Sequence, residues 1–139
     1  MNWMSKLDDS HKFRTIKAIP QSHNSGTKSA LFCYQKFIWL FAQCQNKTIR
    51  EQLDIGIRSF DLRLNVFQNE IYISHYFISN YTLQDILFEI EEFLKENPSE
   101  FVFLFMKDDW QRHNWTESEY KKVWSLFDNT PIIKENKNI

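Results

Sequence analysis

The clearest apolar–polar alternation in the chain runs from Ser59 to Leu64. Ser59, Asp61 and Arg63 fall on one face of an extended segment, and Phe60, Leu62 and Leu64 on the other, because strand side chains repeat every two residues. A polar turn over 65–69 follows, then a second β-rich run, Glu70 to His75. Read locally, this is an antiparallel hairpin with a water-facing polar side. The other reading is a phosphate site, in which a planar guanidinium holds the oxygens and an imidazole moves a proton.

Other patterns flank this stretch. Thr15 to Ile19 reads as a short strand closed by Pro20, and 21–27 as a polar loop of turn-formers. Leu31 to Gln43 is aromatic and reads as a helix. Thr48-Ile-Arg-Glu51 has the form of a capping box and predicts a short helix ending near Gly56. Thr82 caps an amphipathic helix whose face is Leu83, Ile86, Leu87, Ile90, Phe93 and Leu94, with Asp85, Glu89 and Glu92 on the solvated side. Asn97-Pro98 stops it. Phe101 to Met106 is continuously apolar, which predicts a strand buried on both faces. Thr116-Glu-Ser-Glu119 is a further capping box, opening a helix that packs through Tyr120, Val123, Trp124 and Phe127. Such helix–strand alternation argues for a parallel α/β sheet, where polar groups at strand C-termini carry chemistry. Four clusters fit that position: His23-Asn24, Asp61 with Arg63, His75, and Lys107-Asp108.

Composition narrows the class. A chain of 139 residues reads as one domain with a real core, and a net charge of −1 argues against a nucleic-acid partner. The only two glycines, Gly26 and Gly56, lie beside the polar clusters, where the backbone needs room or a positive φ. Cys33 and Cys44 would stand about 16 Å apart along a helix, too far for a disulfide, so two buried free thiols are expected. No His stands at zinc-ligand spacing from them. Met1 to Arg14 has no signal-peptide core, and Leu31 to Cys44 is too short to span a bilayer. A cytoplasmic or membrane-peripheral location is favoured.

The four clusters, in this order, resemble the N-terminal half of the phosphatidylinositol-specific phospholipase C X domain, in its bacterial, metal-independent form. Ile19-Pro-Gln-Ser-His-Asn-Ser-Gly26 resembles the family's Ile-Pro-Gly-Thr-His-Asp-Ser. Gly56-Ile-Arg-Ser-Phe-Asp-Leu-Arg63 resembles its Gly-x-Arg-x-Phe-Asp-x-Arg, and Tyr72-Ile-Ser-His75 its strand ending in His. Phe93 to Glu100, the apolar strand after it and Lys107 continue the likeness, which spans Trp3 to Trp110. The resemblance implies an α/β fold, a partial, truncated TIM barrel with parallel strands and amphipathic helices. The whole chain, 1–139, would be the N-terminal part of that domain. It implies cleavage of phosphatidylinositol, or of its glycosylated anchors, to diacylglycerol and cyclic inositol phosphate. His23 would be the general base, Arg63 the stabiliser of phosphoryl charge and His75 the general acid; Asn24, Asp61 and Lys107 would line the substrate. No cofactor or metal is implied, Arg63 standing where the calcium-dependent branch binds its ion.

The chain departs from that pattern in three ways. Asn24 replaces the Asp that pairs with the acid histidine, and an amide cannot supply the charge that raises an imidazole pKa. Gln21 and Tyr76 replace glycines and are expected to crowd the pocket. A full barrel takes about 250 residues, so the carboxylate expected to orient His23 falls in the missing half, and Asp61 is expected to pair with Arg63. The alternative function is therefore an inactive or truncated member that binds inositol phospholipid or a protein partner. The implied partners are a phosphatidylinositol-containing membrane surface and either a second copy or the missing half of the barrel.

Overall fold

The computed structural model describes residues 2–7, 17–29, 43–109 and 115–128. The expected helix over Leu31 to Gln43, with Cys33, lies almost entirely outside them, as do His11 and His113. Strands β1 (Gln21–Ser22), β2 (Ser59–Phe67), β3 (Glu70–His75), β4 (Phe77–Thr82) and β5 (Phe103–Asp108) form one sheet. Helices α1 (Ile49–Asp54), α2 (Leu83–Glu96) and α3 (Glu117–Asp128) accompany it.

Strand β2 is the axis. Along one edge it pairs in parallel with β5, from Ser59↔Phe103 to Leu64↔Asp108. Its other edge is divided. β1 pairs there in parallel at Ser59 and Phe60, and β3 returns antiparallel from Leu64↔Ile73 to Phe67↔Glu70. The sheet is thus mixed. Its β1–β2–β5 core is parallel as expected, but His75 arrives on the return arm of a hairpin rather than at the end of a parallel strand. The hairpin turn is narrower than the sequence suggested. Only Gln68 and Asn69 lie outside the ladder, both with positive φ (47° and 66°), which matches a two-residue turn that follows the strand twist.

Two strand assignments also move. Among the described residues the first strand lies just after Pro20, which has no N–H to donate to a ladder, and 17–19 form none; Thr15 and Ile16 lie outside the described residues. The Pro20 carbonyl instead accepts from Arg58 and Ser59 N–H. Strand β4, which sequence patterning does not reveal, follows His75 through a reversal at Tyr76, whose φ is 65°.

All three capping boxes form. Thr48 Oγ1 accepts from Glu51 N and Glu51 Oε2 from Thr48 N; Thr82 with Asp85, and Thr116 with Glu119, do the same. The apolar faces of β2 and β3 (Phe60, Leu62, Leu64, Ile71, Ile73) meet α2 (Leu83, Ile86, Ile90, Phe93) and α1 (Ile49, Leu53) in one core. Gly26 sits against it: a Cβ there would come within 2.9 Å of Ile73 Cγ1 and 3.1 Å of Ile86 Cδ1. Gly56 has φ 109°, a conformation that L side chains rarely adopt. Both glycines are therefore required, one for room and one for its backbone angle. On α2, Glu89 is not merely solvated, since it accepts from the Tyr81 hydroxyl and from Arg50 N. Burial, and then Glu89, push the Tyr81 phenol well above its usual pKa. Strand β5 is less buried than its composition implies, with Phe105 57% exposed.

An ion pair closes the end of the sheet where β2 begins. Arg58 Nε donates to Glu100 Oε2 at 2.6 Å, and neither side chain is exposed. Arg58 Nη1 also donates to the carbonyls of Leu53 and Ile57, and the guanidinium lies 4.6 Å from the Phe93 ring centroid. Glu100 Oε1 accepts from Met4 N. Removing one partner leaves an uncompensated buried charge, so Glu100→Ala should cost about 3–5 kcal/mol in urea unfolding. An Arg58→Met/Glu100→Leu double variant should cost less than the single one. Additive or larger loss in the double variant would contradict this role of the pair.

Candidate active site

The polar face of β2 is not water-facing. Ser59, Asp61 and Asn65 are buried, and Arg63 is half-buried. The loop after β1 lies against this face, and hydrogen bonds fix it there. Ser25 N–H donates to Asp61 O at 2.9 Å, and Asp61 N–H donates to Ser25 Oγ at 3.0 Å. Asn24 takes a left-handed conformation (φ 47°), which Asn tolerates better than most residues. Its carbonyl accepts from Thr27 Oγ1 at 2.7 Å. Gln45 Nε2 donates to the carbonyl of His23 at 2.8 Å. The loop is thus clamped from β2 and from the segment entering α1.

On this frame His23 Nδ1 lies 2.8 Å from Asp61 Oδ2. Asp61 Oδ1 lies 3.5 Å from Lys107 Nζ, because the parallel register sets Arg63 beside Lys107 and Asp61 beside Phe105. Asp61 therefore does not pair with Arg63, as the sequence suggested; its two oxygens serve His23 and Lys107. Within the side chain of Arg63, Nε is buried and has no hydrogen-bond partner.

His75 joins the cluster through Asn24 and Cys44. Asn24 Nδ2 lies 3.0 Å from His23 Nε2 and 3.4 Å from Cys44 Sγ. Cys44 Sγ in turn lies 3.6 Å from His75 Nδ1. The Tyr76 ring packs edge-on against His75, centroids 4.6 Å apart, and is itself 44% exposed, so it walls the imidazole rather than filling the site. Asp109, just past β5, accepts from Ser74 Oγ at 2.6 Å next to His75, and its Oδ1 has no partner.

All six residues expected from the sequence thus stand on one end of the sheet, or reach it through a neighbour. Two participants were missed. Cys44 is exposed, not buried, because the chain enters α1 along the site rather than through the core. No local pattern marks it. The Ser25–Asp61 stitch was also missed, although the adjacency of β1 and β2 makes it a consequence of topology. Among the described residues no group of three or more His, Cys, Asp or Glu could hold a metal ion. No helix among them is long and apolar enough to cross a membrane.

Known proteins are similar to this chain in sequence and fold. Residues 19–136 match the family model of the phosphatidylinositol-specific phospholipase C X domain. The 1-phosphatidylinositol phosphodiesterase of Staphylococcus aureus (strain Newman) is 29% identical over 131 residues, covering 88% of this chain and 39% of that protein. Its namesake from Listeria monocytogenes is 31% identical over 111 residues, covering 77% of this chain and 32% of that protein. The variant-surface-glycoprotein phospholipase C of Trypanosoma brucei brucei is 42% identical over 69 residues, 46% of this chain. The solved structure of the Staphylococcus aureus phosphatidylinositol-specific phospholipase C superposes with a TM-score of 0.72 at 29% identity, covering 94% of this chain and 43% of that one. That of Listeria monocytogenes gives 0.72 at 26% identity. The chain spans less than half the length of these relatives, and its mixed, curled sheet is part of a TIM barrel.

The exposure of Cys44 is directly testable. Iodoacetamide should label Cys44 in the folded protein, as read by peptide mapping, and should shift the ring resonances of His75 while leaving the side-chain amide resonances of Gln68 and Asn69 in place. A Cys44 protected until unfolding would contradict this placement.

Proposed function

The chain belongs to the phosphatidylinositol-specific phospholipase C X-domain family, and from that premise we propose that it carries the phosphodiester-cleaving site of a phosphatidylinositol phospholipase C. The observation that carries this reading is the contact chain His23–Asn24–Cys44–His75 (3.0, 3.4 and 3.6 Å), which links two imidazoles, on a sheet whose β2 also carries Arg63 with a buried Nε that has no hydrogen-bond partner.

The chemistry is an internal displacement at phosphorus. The inositol 2-hydroxyl loses its proton to His23 Nε2 as its oxygen bonds to phosphorus. The guanidinium of Arg63 meets the charge that develops on the phosphoryl oxygens. The bond from phosphorus to the glycerol oxygen breaks, and His75 protonates that oxygen, releasing diacylglycerol and a cyclic inositol phosphate. Two imidazoles can hold the complementary protonation states this requires near neutral pH. Asn24 and Lys107 border the space in which the ring would lie. The substrate presents itself at a phosphatidylinositol-containing membrane surface.

A second reading has its own support. Phe105, beside Asp61 in register, is 57% exposed on the face that carries the site. An apolar group there favours a face completed by another polypeptide, a second copy or the remainder of a barrel. On this reading, the isolated chain binds inositol phospholipid without turnover.

A phosphorus NMR time course with phosphatidylinositol vesicles in EDTA separates the two. The enzyme reading predicts a cyclic phosphodiester signal that His23→Ala or His75→Ala lowers by about 10²–10⁴-fold, the range of general acid–base contributions. Arg63→Met should lower it by at least about 10²-fold. If a second copy completes the site, the rate per chain rises with protein concentration. No signal from folded protein that still sediments with the vesicles would favour the binding reading.

A further inference from the structure

We propose that Asp61 is the positioning residue of His23, holding its imidazole in the tautomer that leaves Nε2 unprotonated, able to accept the hydroxyl proton once substrate displaces the Asn24 amide from it. The orienting carboxylate of the candidate base is then supplied within this chain.

One neighbour of fixed hydrogen-bonding role selects that tautomer, and a second accommodates it. An ionised carboxylate only accepts, so His23 Nδ1, 2.8 Å from Asp61 Oδ2, must carry the proton. Asn24 Nδ2, 3.0 Å from His23 Nε2, can donate to the lone pair this leaves there, and Asn24 Oδ1, buried without a hydrogen-bond partner, lets the amide turn over and accept if Nε2 is protonated instead. The carboxylate and the amide lie on opposite ring nitrogens, and the carboxylate sets the form. Free imidazole prefers the other one.

The surroundings hold Asp61 to this task. Lys107 Nζ, 3.5 Å from Oδ1, balances its charge, and each carboxylate oxygen is engaged. That leaves Asp61 as a mediator rather than a sugar contact or a partner of Arg63. The paired bonds between Ser25 and the Asp61 backbone fix the spacing of the two residues. When Nε2 takes a proton, the ring becomes an imidazolium. Asp61 then faces a full positive charge across Nδ1–H, which stabilises the protonated base. Asn24 Nδ2 can no longer donate to Nε2, and it retains Cys44 Sγ, 3.4 Å away, as an acceptor.

The catalytic consequence rests on the proposed function, but the tautomer does not, and it can be read without any lipid. Long-range proton–nitrogen correlation on uniformly ¹⁵N-labelled chain, at about pH 8 where imidazoles are mostly neutral, reports which ring nitrogen is protonated. Loss of one signal set in His23→Gln assigns it. Wild type should show His23 with Nδ1–H. In Asp61→Asn, which keeps the shape, Lys107 should claim the amide oxygen and turn the NH₂ toward Nδ1, so His23 should switch to Nε2–H. Asp61→Ala should switch it too, and Asp61→Glu should restore Nδ1–H. A wild-type Nε2–H form, or an unchanged Nδ1–H in both Asp61→Asn and Asp61→Ala, would overturn the proposal. In the vesicle assay, Asp61→Asn should lower kcat by about 10²-fold or more with KM little changed, as for a buried carboxylate that orients a catalytic imidazole. Absence of wild-type cleavage would count against the enzyme reading alone, and the tautomer would still decide the role of Asp61.

Discussion

Everything in this sheet hangs from the pairing of β2 with its three neighbours, and the buried Arg58–Glu100 ion pair fixes where that pairing starts. Arg58 is the residue before β2, and Glu100 lies just ahead of β5. Their contact at 2.6 Å, with Phe103 N–H donating to the Arg58 carbonyl at 2.8 Å, sets the parallel register of the two strands. Two fully buried charges are costly to desolvate, and the extra hydrogen bonds to Leu53, Ile57 and Met4 offset that cost. A one-residue slip would send every side chain of β5 to the opposite face. Lys107 would then leave Asp61, and the balance of charge in the site would be lost.

The site is therefore a consequence of register more than of loops. Asp61, Arg63 and Lys107 project from paired strands, and rigid strands hold functional groups better than loops do. The loop that carries His23 and Asn24 is bonded to β2 through the N–H and the hydroxyl of Ser25. Asp61 faces Lys107, while Arg63 Nε is buried without a hydrogen-bond partner. The departure at Asn24 changes its meaning in this setting. The amide supplies no charge to His75, yet its donor points at both His23 Nε2 and Cys44 Sγ, linking the two halves of the site.

Much of this was legible in the sequence. The capping boxes at Thr48, Thr82 and Thr116, the apolar stripe of α2 and the motif residues His23, Asp61, Arg63 and His75 all depend on local spacing. What was not legible depends on tertiary neighbours. The polar face of β2 reads as solvated because alternation cannot say what covers a strand. β4 escapes because its polar Ser79 and Asn80 interrupt any apolar run, and its reversal rests on a non-glycine residue, Tyr76, at φ 65°. β5 reads as buried twice over, but Phe105 faces out beside Asp61. Cys44 carries no motif at all, and the partner of Asp61 was misassigned because same-face proximity along β2 to Arg63 says nothing about a loop arriving from β1.

The central claim is that this chain by itself assembles His23, His75 and Arg63 into one anion-binding site. Titration with inositol 1,2-cyclic phosphate, followed on the imidazole nitrogens, tests it most directly. The account predicts that the His23 and His75 signals move together with a single dissociation constant, and that Arg63→Met abolishes both movements. Movement of one histidine without the other, or equal shifts in Arg63→Met, would contradict it.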